Sequence, residues 1–321
     1  MKTRIAALVA TIFLTVPAAA QDWPARPVTM VVPFAAGGEA DVLGRIIARG
    51  LSDTLGKPVV VENVAGGGGI TGAARVARAA PDGYQFLFAG RGQFVLQSLS
   101  KNPLYSLGDF EPVTLIAETP IILIARNDLP VSSVPEFVAY AKANHAKMQY
   151  GSPGAGSTPH LSCVLFNTAI GVTVTHVPYR SGGAAMQDLL AGRIDYQCTG
   201  VSTALPQIEA GKVKAIAVLT RDRSPLVPQF PSAHEQGVSE FDASVWYGLL
   251  LPKGVPVAIA QTLRTATLAT MAEPAIGKNL KDSGGTLVSS ARRSPDYMRD
   301  FVAREIEKWG AAVKSAGVAV E

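Results

Sequence analysis

The chain has little of what several protein classes require. Its 321 residues hold only two cysteines and four histidines, and neither type falls at the short spacings that gather ligands around zinc, which argues against a metal centre. Charge is also sparse: Asp, Glu, Lys and Arg make up 17% of the chain, the formal net charge is +4, and no long run of one sign occurs. That balance leaves no nucleic-acid footprint. Past the first twenty residues no apolar run approaches the ~20 residues a membrane-spanning helix needs. Tandem repeats and low-complexity tracts are absent, so a solenoid and a disordered chain are both poor descriptions. Glycine, by contrast, is plentiful at 31 residues, and two clusters of it direct the rest of the reading.

The N-terminus has the form of an export signal. Lys2 and Arg4 precede an apolar stretch over 5–16, and Ala18-Ala19-Ala20 offers the small residues a signal peptidase selects, with Gln21 as the new N-terminus. Residues 1–20 are therefore expected to be a signal peptide and the mature protein to be periplasmic. Loss of Lys2 and Arg4 lowers the formal charge from +4 to +2. At this length a single core gives way to two. In an oxidising compartment Cys163 and Cys198 allow one bridge within a lobe or two separately buried thiols, because sequence alone does not give their separation.

The two glycine-rich turns are Pro33-Phe34-Ala35-Ala36-Gly37-Gly38-Glu39-Ala40-Asp41 and Gly151-Ser152-Pro153-Gly154-Ala155-Gly156-Ser157. Each follows an apolar strand signal and opens a helical one. Each thus presents free backbone N–H groups beside the positive end of a helix dipole, which is half a site for an anion. Ser157 or Thr158 suits a helix cap and Pro159 suits the first turn. Strand signals at 28–32, 58–62 and 84–88 alternate with helical spacing at 41–55 and 71–79. The middle third repeats the alternation: helices at 134–143, from 159, and at 184–191, with strands at 148–150, 172–177, 194–198 and 214–219. Such alternation predicts βαβ units on mostly parallel sheets, with ligand sites beyond the carboxyl ends of the strands. Two apolar segments, 120–125 and 245–251, bracket this middle third and are expected to pair as a hinge. A helical tail follows at 257–271 and 295–316.

Beyond the two glycine-rich turns, several further segments carry a family resemblance: Val61-Glu62-Asn63 running into Gly66 to Gly69, Ala80-Pro81-Asp82-Gly83-Tyr84, Asp109-Phe110-Glu111-Pro112-Val113, His176-Val177-Pro178-Tyr179, Asp188-Leu189-Leu190-Ala191-Gly192 and Trp246-Tyr247-Gly248. In this order they span the mature chain, which resembles the substrate-binding proteins of the tripartite tricarboxylate transporter family, of the Bug (Bordetella uptake gene) type. The resemblance implies an α/β, two-lobed type II periplasmic-binding fold, each lobe a mostly parallel sheet flanked by helices and the two joined by hinge strands. Residues 21–122 and 248–321 would form the first lobe and 123–247 the second. It implies no catalysis and no cofactor. A small carboxylate would be held by Phe34, Ala35, Ala36, Gly37, Gly38 and Asp41 from one lobe and by Ser152, Gly154, Gly156 and Ser157 from the other, with Tyr179 and Asp195 lining the cleft. The partners implied are inner-membrane transporter subunits or, alternatively, a sensor protein, with the receptor itself a monomer. Arg91 and Arg180 stand where the family has small polar residues and Lys, respectively. Arg91 is expected either to select a second carboxylate on the ligand or to be spent in a salt bridge or in solvent. Asp41, Asp195 and Tyr179 have structural alternatives as well, the two carboxylates in holding local structure and the tyrosine in packing.

Two other chemistries compete. Gly67-Gly68-Gly69-Ile70-Thr71-Gly72 satisfies G-x-G-x-x-G after a strand, so an NADP-dependent oxidoreductase using Gly67, Gly69 and Gly72 is the remote alternative. The export signal and the lack of a ribose-binding carboxylate weigh against it. Ser152, Ser157, His160, His176 and Asp195 could supply a hydrolytic triad, but no G-x-S-x-G elbow accompanies them.

Overall fold

The computed structural model describes residues 23–239 and 241–315; the expected signal peptide lies outside them. The chain begins with strand β1 (Val28–Val32) and helix α1 (Glu39–Leu55). Leu43, Ile47 and Leu51 of α1 recur at four-residue spacing and are fully buried, so each contributes about 1.5–3 kcal/mol of apolar burial on the face that meets the sheet. The helix stops at Gly56, whose φ of +64° suits the left-handed cap. Strand β2 (Val59–Asn63), helix α2 (Ile70–Ala77), strand β3 (Gln85–Ala89) and helix α3 (Gly92–Leu99) follow. Strands β2, β1 and β3 lie parallel in that order.

A single 17-residue strand, β4 (Phe110–Arg126), then runs through both lobes. After it come α4 (Val134–Asn144), β5 (Gln149–Ser152), α5 (Thr158–Ala169), β6 (Thr175–Pro178), α6 (Gly182–Leu190), β7 (Tyr196–Gly200), α7 (Val201–Glu209) and β8 (Val213–Val218). The chain returns through β9 (Ser244–Pro252) and ends with α8 (Val257–Ala272), α9 (Pro274–Asp282), β10 (Thr286–Leu287) and α10 (Pro295–Ser315). Strand order along the sheet is β2-β1-β3-β9-β4-β7-β5-β6, with β10 and β8 also on β4. The architecture is thus the expected two-lobed α/β fold.

Register locates the crossover. From Phe110 to Pro120, β4 pairs antiparallel with β9, Pro120 standing opposite Ser244. From Ile121 onward it pairs with β7 and β8. The segments 120–125 and 245–251, expected to pair with each other, share no register pair: past Pro120 the first pairs with β7 and β8, and the second pairs with β3 and with the earlier half of β4. Apolar alternation marks a buried strand but cannot say which neighbour buries it.

In the second lobe Cys163 on α5 and Cys198 on β7 form a disulfide with Cα atoms 5.5 Å apart, settling the alternative left open by sequence. Both are fully buried. The bridge ties a helix to the strand it covers. The packing places six strand-to-helix junctions, three per lobe, at the carboxyl ends of parallel strands. These six junctions face one another.

Candidate functional site

The first-lobe loop 33–38 is built by one buried carboxylate. Asp41 Oδ2 accepts from the Gly37 N–H at 3.0 Å, and its Oδ1 accepts from Arg45 Nε and Asn63 Nδ2, each at 2.9 Å. Asn63 Nδ2 also donates to the Phe34 carbonyl at 2.9 Å. Burial pushes the Asp41 pKa up, but these donors more than offset it and hold the group below the ordinary carboxylate range. Gly37, at φ +84°, can take this shape where a side chain would be strained.

The second-lobe loop 152–157 is similarly self-supporting. Ser152 Oγ accepts from Gly154 N at 3.2 Å and shares a 2.7 Å hydrogen bond with His176 Nε2. Gly156 N donates to His160 Nδ1 at 3.1 Å, while Ser157 caps α5 by accepting from His160 N at 3.4 Å. The His160 and His176 rings lie 4.1 Å apart between centroids. Burial lowers them to about 3 and about 4 respectively, so both are neutral near pH 7. Ser152 and Ser157 are fully buried and spent on loop structure.

Backbone from the two lobes touches at glycines. Ala35 N donates to Arg180 O at 3.1 Å and Gly92 N to Thr158 Oγ1 at 3.1 Å. A Cβ on Gly183 would stand 2.7 Å from Gly37 O, and one on Gly154 would stand 2.9 Å from Gly68 N. The Gly67-Gly68-Gly69 turn is therefore packed against 154–157 of the opposite lobe. A Cβ on Gly72 would lie 2.8 Å from Val64 O and 2.9 Å from the Pro33 Cα, so this glycine serves close packing of α2 on β1. The fingerprint spacing arises from lobe contact and packing.

Between the junctions lies a cavity of about 30 Å³, lined by Phe34, Gly38, Glu39 and Ala40 from the first loop, Pro153, Pro159, Gly182, Thr199, Gly200 and Thr203 from the second lobe, and Tyr247 of β9. The first turns of α1, α5, α6 and α7 all reach it. Their leading N–H groups have no intrahelical acceptor and their dipoles present positive ends there. Any organic acid larger than a water or two requires the junctions to part before it enters.

The expected residues divide by place. Phe34 and Gly38 line the cavity, Ala35 and Arg180 meet through their backbones, and Ala36, Gly37 and Asp41 form or brace the loop. Gly154 and Gly156 face the first lobe: a Cβ on Gly156 would run into Leu96 of α3. The Tyr179 hydroxyl donates to Asp188 Oδ2 at 2.7 Å, and burial, then this carboxylate, push its pKa up to about 12. Two residues are turned elsewhere. Asp195 precedes β7, at the end opposite the junctions, where its Oδ2 accepts from Gln149 N at 2.7 Å and its Oδ1 from Arg126 Nε at 3.0 Å. The carboxyl end of that strand is Thr199-Gly200. Arg91 is 4% exposed and committed to α10 and to the start of β9: Nε donates to Glu305 Oε2 and Nη1 to Ser244 O, each at 2.6 Å, and the guanidinium lies 4.0 Å over the Trp309 ring.

Sequence reasoning missed Glu39. Its Oε1 accepts from Thr119 Oγ1 at 2.5 Å and from Tyr247 OH at 2.9 Å, and its Oε2 occupies the place a Cβ on Gly200 would take. The signal was there: an acidic residue directly after Gly37-Gly38, on the turn already singled out.

A two-lobed α/β chain with strand-to-helix junctions closing on a small cavity is a periplasmic-type solute-binding receptor. Comparison with known proteins narrows that class. The family described as the tripartite tricarboxylate transporter family receptor (TctC) matches residues 43–318, and the chain belongs to this family. Protein BugT of Bordetella pertussis is 34% identical over 316 residues, covering 98% of this chain and 96% of BugT. The structure of the periplasmic binding protein BugD superposes with a TM-score of 0.88 at 37% identity, covering 92% of this chain and 99% of BugD. MatC of Rhodopseudomonas palustris with bound malate gives a TM-score of 0.87 at 35% identity, covering 91% of this chain and all of that one, 100%.

Proposed function

We propose that the protein captures a small organic carboxylate between its lobes in the periplasm and delivers it to the membrane subunits of a tripartite tricarboxylate transporter. The observation that carries this reading is the convergence of four helix N-termini, from α1, α5, α6 and α7, on one small cavity. Together they favour negative charge without any basic side chain. Membership of a receptor family and the malate held by the MatC relative support it. The Phe34 to Gly38 loop and the α5 and α6 N-termini would receive the carboxylate, while Asp41, Ser152 and Ser157 would hold those loops in shape. Arg91, spent on Glu305, would stay outside the site. In a thermal-shift screen of the purified protein against mono-, di- and tricarboxylates, an acid present at 100 times its dissociation constant should stabilise by ~2.7 kcal/mol. The absence of any shift across the three classes would overturn the proposal.

A further inference from the structure

Glu39 opens α1 and is 8% exposed. Its carboxyl group sits where the two lobes and the strands joining them meet. Thr119 of β4 and Tyr247 of β9 donate to Oε1 at 2.5 and 2.9 Å, while Oε2 lies against the backbone of Gly200 in the second lobe, where an added Cβ would fall 0.9 Å from it. Oε2 has no hydrogen-bond partner among the described residues, and neither has Ser202 Oγ, two residues past Gly200. No lysine, arginine, histidine or second carboxylate among them acts on the group. Asp41, on the same first turn, shows the contrast: it is spent on Gly37 N, Asn63 and the Arg45 cation and is held below the ordinary carboxylate range. For Glu39, burial outweighs the hydroxyls of Thr119, Tyr247 and Ser202 and pushes the pKa up. The positive end of α1 favours the anion, but only modestly beside the cost of a buried carboxylate with no cation.

We propose that closing the two lobes takes up one proton at Glu39, so that a fall in pH favours the closed, ligand-holding form. This rests on the receptor reading above and adds a regulation to it. With the lobes apart, Oε2 leaves Gly200 for water and the carboxyl group is ionised at neutral pH, as an ordinary glutamate is. As they close, Oε2 takes a proton from solvent. Its O–H then has Ser202 Oγ, an acceptor without a donor, beside it, and Oε1 goes on accepting from Thr119 and Tyr247. A ligand carboxylate in the adjoining cavity, which Glu39 also lines, adds a like charge and favours the same neutral form. A carboxyl group whose pKa rises on closure contributes fully to closure below its ordinary value, 4.5, and loses that contribution as pH rises through the closed-form value. The titratable groups of the surrounding elements are engaged otherwise. Burial pushes the Tyr247 hydroxyl well up, Glu118 of β4 pairs with Arg292, Asp41 of α1 with Arg45, and Asp195, at the far end of β7, with Arg126. On α5, His160 is lowered to about 3.

The test is solution scattering of the ligand-free protein at pH 5 and pH 8. The ratio of closed to open molecules should rise by up to about tenfold for each unit that pH falls between the closed-form value and the ordinary one, so the wild-type radius of gyration should be smaller at pH 5 than at pH 8. Glu39→Gln has no charge to neutralise and should be equally compact at both. If that variant does not fold, Gly200→Ala takes its place: the backbone there, at φ −64° and ψ 146°, suits any residue, but the added Cβ takes the seat of Oε2, so this variant should be equally expanded at both. A wild-type radius that does not change with pH, or a change of the same size in the variant that folds, overturns the proposal. Because no ligand is present, either result leaves the receptor reading to the thermal-shift screen, and a failure there is told apart from a failure here.

Discussion

Gly92→Ala separates folding from lobe contact. Gly92 opens α3 and its φ lies outside the left-handed region, so alanine fits its backbone and favours the helix. The obstacle comes entirely from the other lobe. An added Cβ would stand 2.6 Å from Gly156 O, 2.8 Å from Thr158 N and 3.0 Å from the Ser157 Cα. All three are backbone atoms, which cannot rotate aside. Restoring an ordinary 3.4 Å contact from 2.6 Å means opening the junction by about 0.8 Å at this point. The Gly92–Thr158 hydrogen bond, 3.1 Å long, would go with it. Overpacking and the lost bond together should cost about 2 kcal/mol of closure, or roughly thirtyfold in affinity. Calorimetry with the tightest-binding acid should show this loss while the melting temperature of the free variant does not fall. Gly277→Ala is the control, since its Cβ would meet only Leu287 at 3.5 Å. Wild-type affinity in Gly92→Ala would refute the view that the ligand is held with these junctions in contact.

Three further outcomes follow from the same packing. Replacing Cys163 and Cys198 by alanine releases a 35-residue separation, which on the chain-entropy account should lower stability by about 4 kcal/mol, measured by urea denaturation of oxidised wild type against the variant. Arg91→Ala leaves the half-buried Glu305 without its partner and should cost about 3 kcal/mol of stability, yet leave the preference between mono- and dicarboxylates unchanged; a selective loss of dicarboxylate binding would restore Arg91 to the site. His160 and His176 are lowered from 6.5 to about 3 and about 4, so the unfolded chain takes up their protons first as pH falls. Their contribution should be complete above pH 6.5 and lost progressively toward pH 4 and then 3, and His176→Gln should flatten that decline in denaturation curves recorded at pH 7.5, 6 and 5.

Local features were legible because each carries its cause within a few residues. The expected first strand, 28–32, coincides with β1, and the helix expected at 41–55 is α1 with two more residues at its start. Ser157 caps α5, and Pro159 sits in its first turn. Helices α3, α7 and α9 went unread. In α3 the opening Gly90-Arg91-Gly92 looks like a turn, and in α7 an interior Pro206 argues against a helix, although tertiary packing overrides both signals.

The unread α7 explains most of what was missed at the site. Once β7 is followed by a helix, its carboxyl end at Thr199-Gly200 becomes a junction, and Asp195, on the strand's other end, falls away from it. The same step brings Gly200 opposite Glu39. That carboxylate depends on Thr119, Gly200 and Tyr247, residues 80, 161 and 208 positions further along the chain than 39. No periodicity or motif spacing connects four such positions, because what joins them is the change of β4 from one lobe's sheet to the other beside the return of β9. Arg91 shows the converse. A guanidinium after a cleft-facing strand is chemically suited to a carboxylate, but α10, more than two hundred residues later, supplies Glu305 and Trp309 within its reach. Charge type is therefore visible in the sequence, whereas the choice between ligand and internal partner is made by which distant element packs behind the strand.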